Sequence, residues 1–182
     1  FNDQIERMDE IVRYQLRKPA ASAADNLVLG PVDVAKEVER LVSGLRKVYH
    51  DKHPSIDADV APETKFRGDT GDFLELAGNL LDNACKWCKG RVSINVRPSA
   101  GARGPGGMRL TVDDDGPGIP EDAADALLER GTRLDEATPG HGIGLAIVRD
   151  IAKSYGGRLT IGRSALGGAS ITVDIPPAAE RR

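Results

Sequence analysis

The sequence predicts an α+β fold: a two-layer α/β sandwich with one mixed, mostly antiparallel sheet covered on one face by helices, preceded by one isolated N-terminal helix. Three observations carry this expectation. Segments with the apolar period of a helix interleave with short strand-like segments from about residue 27 onward. Successive strands are joined by Gly/Pro-rich connections at 99–107 and 167–168, which suits antiparallel pairing. The helical segment 70–88 has one broad apolar face, as needed to cover one side of a sheet. The chain has 182 residues, enough for one core of roughly 130–150 residues plus an accessory segment.

Taken in order, residues 1–18 read as a helix, with Ile5, Met8, Val12 and Leu16 at three- and four-residue steps. Such a narrow stripe needs a partner helix. Residues 19–26 are rich in alanine and serine and read as a linker. The main unit spans 27–178. Its first helix, 32–49, is amphipathic through Val34, Val38, Leu41, Val42, Leu45 and Val48. A strand at 55–60 leads to a helix at 70–88, and strands follow at 92–97 and 109–113. A short helix is expected at 121–128, an irregular stretch after it, and a helix at 142–154. Strands at 158–161 and 169–175 close the chain. Because the chain begins at Phe1 inside a helical pattern, it reads as a piece of something longer.

Composition narrows the function. Asp and Glu number 28 against 25 Lys and Arg, so bulk charge favours neither nucleic acid nor an anionic membrane. No apolar run approaches the roughly 20 residues that cross a bilayer, so no membrane contact is expected of this chain. The two cysteines, Cys85 and Cys88, have C-x-x-C spacing but no second pair and no histidine at ligand spacing. Both fall on an apolar helix face and read as reduced core residues.

Four segments ask for residues that packing alone would not choose. At about 100° per residue, Glu75, Asn79, Asp82, Asn83 and Lys86 share one side of the helix 70–88, opposite Phe73, Leu76, Leu80, Ala84 and Cys88. Asparagine is a poor interior helix residue. Its amide oxygen is also a neutral, hard ligand for a magnesium ion already bound to phosphates, and Lys86 adds a point charge for them. A solvated polar stripe and a ligand face both fit this pattern. Trp87, at the edge of the apolar face, is placed where its ring can lie against a nucleobase. Asp113, Asp114 and Asp115 run into Gly116-Pro117-Gly118-Ile119-Pro120. Three adjacent carboxylates repel one another, and either an acidic β-turn or an acceptor for an adenine amine explains them. Gly140-His141-Gly142-Ile143-Gly144 precedes a helix beginning near Leu145, an arrangement that frees backbone amides for phosphate oxygens or forms a hinge. Before it, 131–139 carries Arg133 without apolar periodicity, the profile of a lid bringing a cation over a γ-phosphate. No Walker A pattern occurs, which excludes a P-loop, and the glycine turn lacks the strand and acidic residue of a Rossmann site.

With these residues in hand, the chain resembles the catalytic and ATP-binding domain of bacterial sensor histidine kinases, within the group that shares the Bergerat or GHKL fold with type II topoisomerases, heat-shock chaperone ATPases and mismatch-repair ATPases. The family's boxes are matched in order: the N box at Glu75–Lys86, the first glycine box at Asp114–Gly118, the F box around Leu128–Arg133, and the second glycine box at Gly140–Gly144. The segments NLLDNACKWC, DDGPGIP and RG-x-R are similar to the PhoQ-type magnesium and virulence sensors in particular. The resemblance implies that Asn79 and Asn83 hold the magnesium ion and its phosphates, that Lys86 contacts phosphate, and that Trp87 stacks on adenine. It implies that Asp114 reads the adenine amine within a pocket formed with Gly116, Gly118 and Ile119. Gly140, His141, Gly142, Gly144 and Leu145 would line the phosphates, Arg133 would reach the γ-phosphate, and Glu75 would polarise the attacking imidazole. Residues 1–18 resemble the second helix of a dimerisation and phosphotransfer domain.

The sequence departs from the family at the F box, where Leu128 and Gly131 replace aromatic residues, and at Thr138, where PhoQ-like lids carry a second arginine. His50, His53 and His141 all lie outside the context of a phosphoacceptor. The expectation is therefore a chain that binds ATP without phosphorylating itself. The intact protein would be a homodimeric inner-membrane sensor whose cytoplasmic part passes the γ-phosphoryl group to a histidine elsewhere and then to a response regulator. The alternatives are an ATPase or serine kinase of the same fold, or a non-catalytic ATP-sensing module.

Overall fold

A computed structural model of the chain describes residues 31–99, 107–120 and 144–177. The expected helices at 1–18 and 121–128, the linker, the F box with Arg133, and Gly140, His141 and Gly142 lie outside the described residues.

Helix α1 (Val34–Val48) starts where the Asp33 side chain accepts the Lys36 amide at 3.2 Å, relieving one of the unpaired donors at a helix start. Strand β1 (Ser55–Val60) follows, then α2 (Thr70–Trp87), capped by Asp69 through the Asp72 amide at 3.1 Å. Strands β2 (Arg91–Pro98) and β3 (Met108–Asp114), helix α3 (Gly144–Ser154), and strands β4 (Arg158–Arg163) and β5 (Ala169–Ile175) complete the order. The expected elements are found with small shifts at their ends. Cys88 is the C-cap of α2 rather than its last turn, because its extended backbone leaves the helix there. β2, β3 and β4 run one or two residues beyond the expected ends, since ladder pairing continues past the apolar pattern.

The sheet order is β1-β2-β3-β5-β4, with β1 parallel to β2 and every other pair antiparallel. The parallel pair is made possible by α2, which carries the chain from the end of β1 back to the start of β2. Register stacks apolar residues in rows across the strands: Val96, Leu110, Val173 and Leu159 form one, and Ile94, Val112, Ile171 and Ile161 the next. Strand alternation sends these side chains to the face that α2 and α3 cover. The opposite face is polar. Thr111 and Thr172 share a hydrogen bond at 3.0 Å, and Arg109 pairs with Asp174. This is the one-sided sandwich expected from the alternating pattern.

α2 is the central helix. Phe73, Leu76, Ala77, Leu80, Leu81, Ala84 and Cys85 are buried along it. Each large apolar side chain so buried stabilises the fold by roughly 1.5–3 kcal/mol. At its start, Phe66, Phe73 and Tyr155 form an aromatic cluster, with the Phe66 and Tyr155 rings edge-on and centroids 5.0 Å apart. The Tyr155 hydroxyl donates to Asp72 Oδ2 at 2.6 Å and accepts the Asp69 amide at 3.0 Å. The end of α3 is thereby tied to the first turn of α2. Gly68 is needed there because a Cβ would enter the ring of Tyr155 at 2.6 Å.

Candidate functional site

The polar stripe of α2 is half-buried along its whole length: Glu75, Asn79, Asp82, Asn83 and Lys86 are all of intermediate exposure. This is not the profile of a plainly solvated face, and two neighbouring elements explain it. At one end the start of α3 approaches closely. A Cβ built on Gly144 would stand 2.9 Å from Asn79 Oδ1 and 3.5 Å from Asn83 Nδ2. The second glycine box and the two asparagines, 61 and 65 residues apart by their numbers, therefore meet across a gap that only glycine leaves open. Asn79 Nδ2 donates to the Glu75 carbonyl at 2.7 Å, which fixes the amide so that its oxygen points toward Gly144. A hard cation finds its preferred donor in that oxygen. Leu145 is buried in the core, so its contribution to a ligand is through its backbone amide, among the unpaired donors at the start of α3.

At the other end, the residues after α1 reach over. The Tyr49 hydroxyl donates to Asp82 Oδ1 at 2.7 Å, and Lys86 Nζ donates to Asp82 Oδ2 at 3.1 Å. Burial, and then the neighbouring Asp82 carboxylate, push the Tyr49 phenol above its ordinary range, so it remains a donor. Lys52 Nζ donates to the carbonyls of Cys85 at 2.8 Å and Lys86 at 2.6 Å, closing the carboxyl end of α2 with a cation where the helix dipole favours one. Neither Tyr49 nor Lys52 carried a sequence signal of this role: Tyr49 reads as the last residue of the helix expected at 32–49, and Lys52 as part of the connection after it.

Beyond α2, the three consecutive aspartates divide into three environments. Asp113 lies half-buried in β3 with the parity of the polar face. Asp114 is buried, with 6% of its surface exposed, and its Oδ1 accepts the amides of Gly116 at 2.8 Å and Ala169 at 3.2 Å. No hydrogen bond to its Oδ2 is found among the described residues, which leaves that oxygen for an outside donor. Burial raises the Asp114 carboxyl above its ordinary value; the two amide bonds lower it, but not enough to offset burial and the charges of Asp115 and Asp113.

Asp115 corrects the sequence reading of the triplet. Its Oδ1 accepts three successive amides, from Lys89 at 2.8 Å, Gly90 at 3.0 Å and Arg91 at 3.0 Å. The third carboxylate thus exists to clasp the turn between α2 and β2, and ligand recognition is not needed to explain it. Burial pushes this carboxyl up, and the amides with the Arg91 guanidinium more than reverse that, holding it at about 2. A depressed carboxyl stabilises the fold above the ordinary value of 3.8, and that stabilisation is lost as pH falls through about 2. Asp115→Ala should therefore cost about 2–3 kcal/mol at neutral pH, the worth of a few hydrogen bonds to a charged group. Urea denaturation should show the gap between variant and wild type closing as pH falls from 4 toward 2.

The glycines around Asp114 are close-approach positions. At Gly116 a Cβ would overlap the Trp87 carbonyl and stand 2.9 Å from Asp114 Oδ1. Gly118 has φ of +80°, a backbone that favours glycine. Gly168, read from sequence only as part of a turn, donates its amide to the Asp114 carbonyl at 3.0 Å and has no room for a Cβ beside the Asp114 carboxylate. Ile119 packs against the core, and Trp87 is 41% exposed, a large aromatic at the surface beside this pocket. Cys85 and Cys88 are buried free thiols, with Cys85 pushed up to about 12, chiefly by burial; the core reading of the pair stands. Among the described residues no cluster of three or more His, Cys, Asp or Glu side chains forms a metal site.

The comparisons with known proteins agree with this geometry. The family model described as histidine kinase-, DNA gyrase B-, and HSP90-like ATPase matches residues 68–179. The chain is 43% identical over 176 residues to the sensor protein kinase CarS of Pseudomonas aeruginosa, covering 97% of this chain and 38% of CarS. It is 38% identical over 171 residues to the sensor protein PhoQ of Escherichia coli K12, covering 94% of this chain and 34% of PhoQ. The chain thus spans little more than a third of these relatives. Among solved structures, full-length ShkA in complex with AMPPNP superposes with a TM-score of 0.71 at 27% identity, covering 81% of this chain and 31% of ShkA. Taken with the facing asparagines, the clasped Asp114 and the one-sided sheet, these matches show that the chain belongs to the histidine kinase-, DNA gyrase B- and HSP90-like ATPase family, as a catalytic domain of the PhoQ-like sensor kinase type.

Proposed function

We propose that this chain binds Mg-ATP and forms the catalytic part of a longer, homodimeric sensor kinase, which transfers the γ-phosphoryl group to a histidine outside this chain for relay to a response regulator. The observation that carries the reading is the meeting of Asn79 and Asn83 with Gly144 across a gap that only glycine leaves open. In this reading the adenine amine donates to Asp114 Oδ2 while Gly116 and Gly118 let backbone approach the base. Ile119 and Trp87 supply apolar surface to its faces. The triphosphate runs along the α2 stripe toward the amides of Gly144 and Leu145, and Lys86 offers its ammonium to it. The donor set fits magnesium: a fixed neutral amide oxygen on Asn79, with Asn83 one turn on, adds no charge to a cation already balanced by phosphates. The ion supplies charge neutralisation on the phosphates when bound. Glu75, one turn before Asn79, polarises the attacking imidazole, and Gly140, His141, Gly142 and Arg133 complete the phosphate end. That the similar protein ShkA was solved in complex with AMPPNP, an ATP analogue, supports a nucleotide as the ligand.

No helix among the described residues is long and apolar enough to cross a membrane. From the similarity to proteins named as sensor kinases, we place this domain on the cytoplasmic side of a membrane-anchored receptor. Calorimetric titration should give micromolar ATP binding that weakens without magnesium. Asn79→Ala should weaken it by at least about tenfold and remove most of the magnesium dependence. Transfer of labelled phosphate to a supplied dimerisation and phosphotransfer domain tests the kinase step. Firm binding without transfer would leave a nucleotide-sensing module instead.

A further inference from the structure

The end of α2 that carries Lys86 is held from outside by residues no part of the motif contains. Tyr49 lies 33 residues before Asp82 in sequence, yet its hydroxyl takes one carboxylate oxygen of Asp82 at 2.7 Å while the Lys86 ammonium takes the other at 3.1 Å. Lys52, three residues past Tyr49, holds the last carbonyls of the same turn. Tyr49, Asp82 and Lys86 thus form a chain in which each member has a defined partner. The Lys86 side chain is 31% exposed and that of Asp82 is 40% exposed, so the ion pair by itself adds little to stability in water. Such a pair suits another task. A lysine side chain is flexible, and fixing it costs rotamer freedom. An ammonium already held by Asp82 keeps further N–H donors to offer, with most of that ordering done before a ligand arrives.

Resting on the nucleotide reading above, we infer that Tyr49 and Asp82 are positioning residues for the triphosphate: the Tyr49 hydroxyl orients Asp82, and Asp82 holds the Lys86 ammonium toward the phosphates. The residues that follow α1, outside every recognisable box of the sequence, thereby set the affinity for the charged tail of the nucleotide and leave the affinity for its base untouched. The carboxylate repels phosphate less than a bare one does, because both of its oxygens are engaged by donors.

The test uses the full 182-residue chain, with ATP measured by calorimetry and adenosine by ligand-observed NMR. Tyr49→Phe keeps the ring and removes only the hydroxyl; Asp82→Ala removes the carboxylate at a position where alanine suits the helix. Each should weaken ATP about fivefold and leave adenosine within about twofold. A general loss of packing would weaken both ligands together, so adenosine is the internal control. The decisive arm is a double-mutant cycle with Lys86→Met. In the Lys86→Met background, Tyr49→Phe should have no further effect on ATP, because its route to the phosphate has gone. Full additivity in that cycle would overturn the inference, as would unchanged or stronger ATP binding by Asp82→Ala. Failure of the wild type to bind ATP at all would remove the nucleotide reading and this inference with it, a result distinguishable from additivity in a wild type that does bind.

Discussion

Asp114→Asn is expected to weaken ATP binding by about a hundredfold or more while leaving the melting temperature unchanged or raised. The two effects part company because the two carboxylate oxygens have different tasks. Oδ1 accepts the amides of Gly116 and Ala169, and an asparagine oxygen accepts the same two amides, more weakly for want of charge. Those two fixed donors also forbid the flipped amide, which would set its NH2 against both. The asparagine nitrogen must therefore stand where Oδ2 stood, donor facing the donor amine of adenine. Loss of a hydrogen bond to a charged group is worth about 1.5–3 kcal/mol, and the opposed donor adds to it; every 1.4 kcal/mol is about tenfold in affinity. Stability responds in the opposite sense. The folded carboxyl is raised mainly by burial, so folding favours its protonated form: below its ordinary value of 3.8 the group carries no penalty, and as pH rises past that value the ionised carboxylate increasingly opposes folding. The amide removes that opposition. Calorimetry with ATP and GTP, beside thermal melts near neutral pH, checks both halves. A variant that retains ATP affinity would show that this carboxylate does not read the base. A large fall in melting temperature would instead show the charge to be a structural necessity.

Gly168→Ala carries the largest expected cost to the fold, roughly 3 kcal/mol or more, or about 10 °C in melting temperature. The added Cβ would overlap Asp114 Oδ1 and stand 2.5 Å from the Gly116 nitrogen and 2.6 Å from the Asp114 carbonyl oxygen. Two of those three neighbours are backbone, and the third is tied by hydrogen bonds, so none can yield. Relief requires the turn to lift, breaking the Gly168 amide bond to Asp114 and the Ser164 amide bond to Gly168. Gly167→Ala is the matched control. Its φ of +108° strains any side chain, yet nothing lies within 4 Å of the added atom, so about 1–2 kcal/mol is expected. Thermal melts of the two variants side by side should separate them clearly, and equal losses would show that crowding around Asp114 is unimportant.

Much of the fold was legible because its signals are local. The alternation that defines β2, β3 and β5 and the helical periods of α1 and α2 all lie within short windows of sequence. The asparagine stripe was legible for a different reason: it contradicts helix propensity, and such conflicts mark positions with another task. Long-range contacts were not legible. Nothing local tells that Tyr49 meets Asp82, that Tyr155 meets Asp72, or that the turn at Gly168 packs on Asp114 fifty-odd residues earlier. Asp115 shows how local reasoning goes astray. The repulsion within Asp113–Asp115 invites a shared explanation for three residues whose environments differ. Adjacent strand positions alternate faces, and Asp115 has already left the strand, so the three carboxylates never share one setting.

The pairing of Asp114 with Ala169 and Gly168 ties the proposed base pocket to the alignment of β3 on β5. Sliding that pair by a single residue would turn Asp114 toward the polar face and dissolve its bonds to the closing turn. The pocket is thus complete only after two strands far apart in the chain have met in the correct frame, a slow, non-local event in folding. A nucleotide that binds there selects the correctly aligned chain over slipped ones by mass action. Newly made protein would then be held in its proper alignment by the cell's own ATP, before any signal arrives.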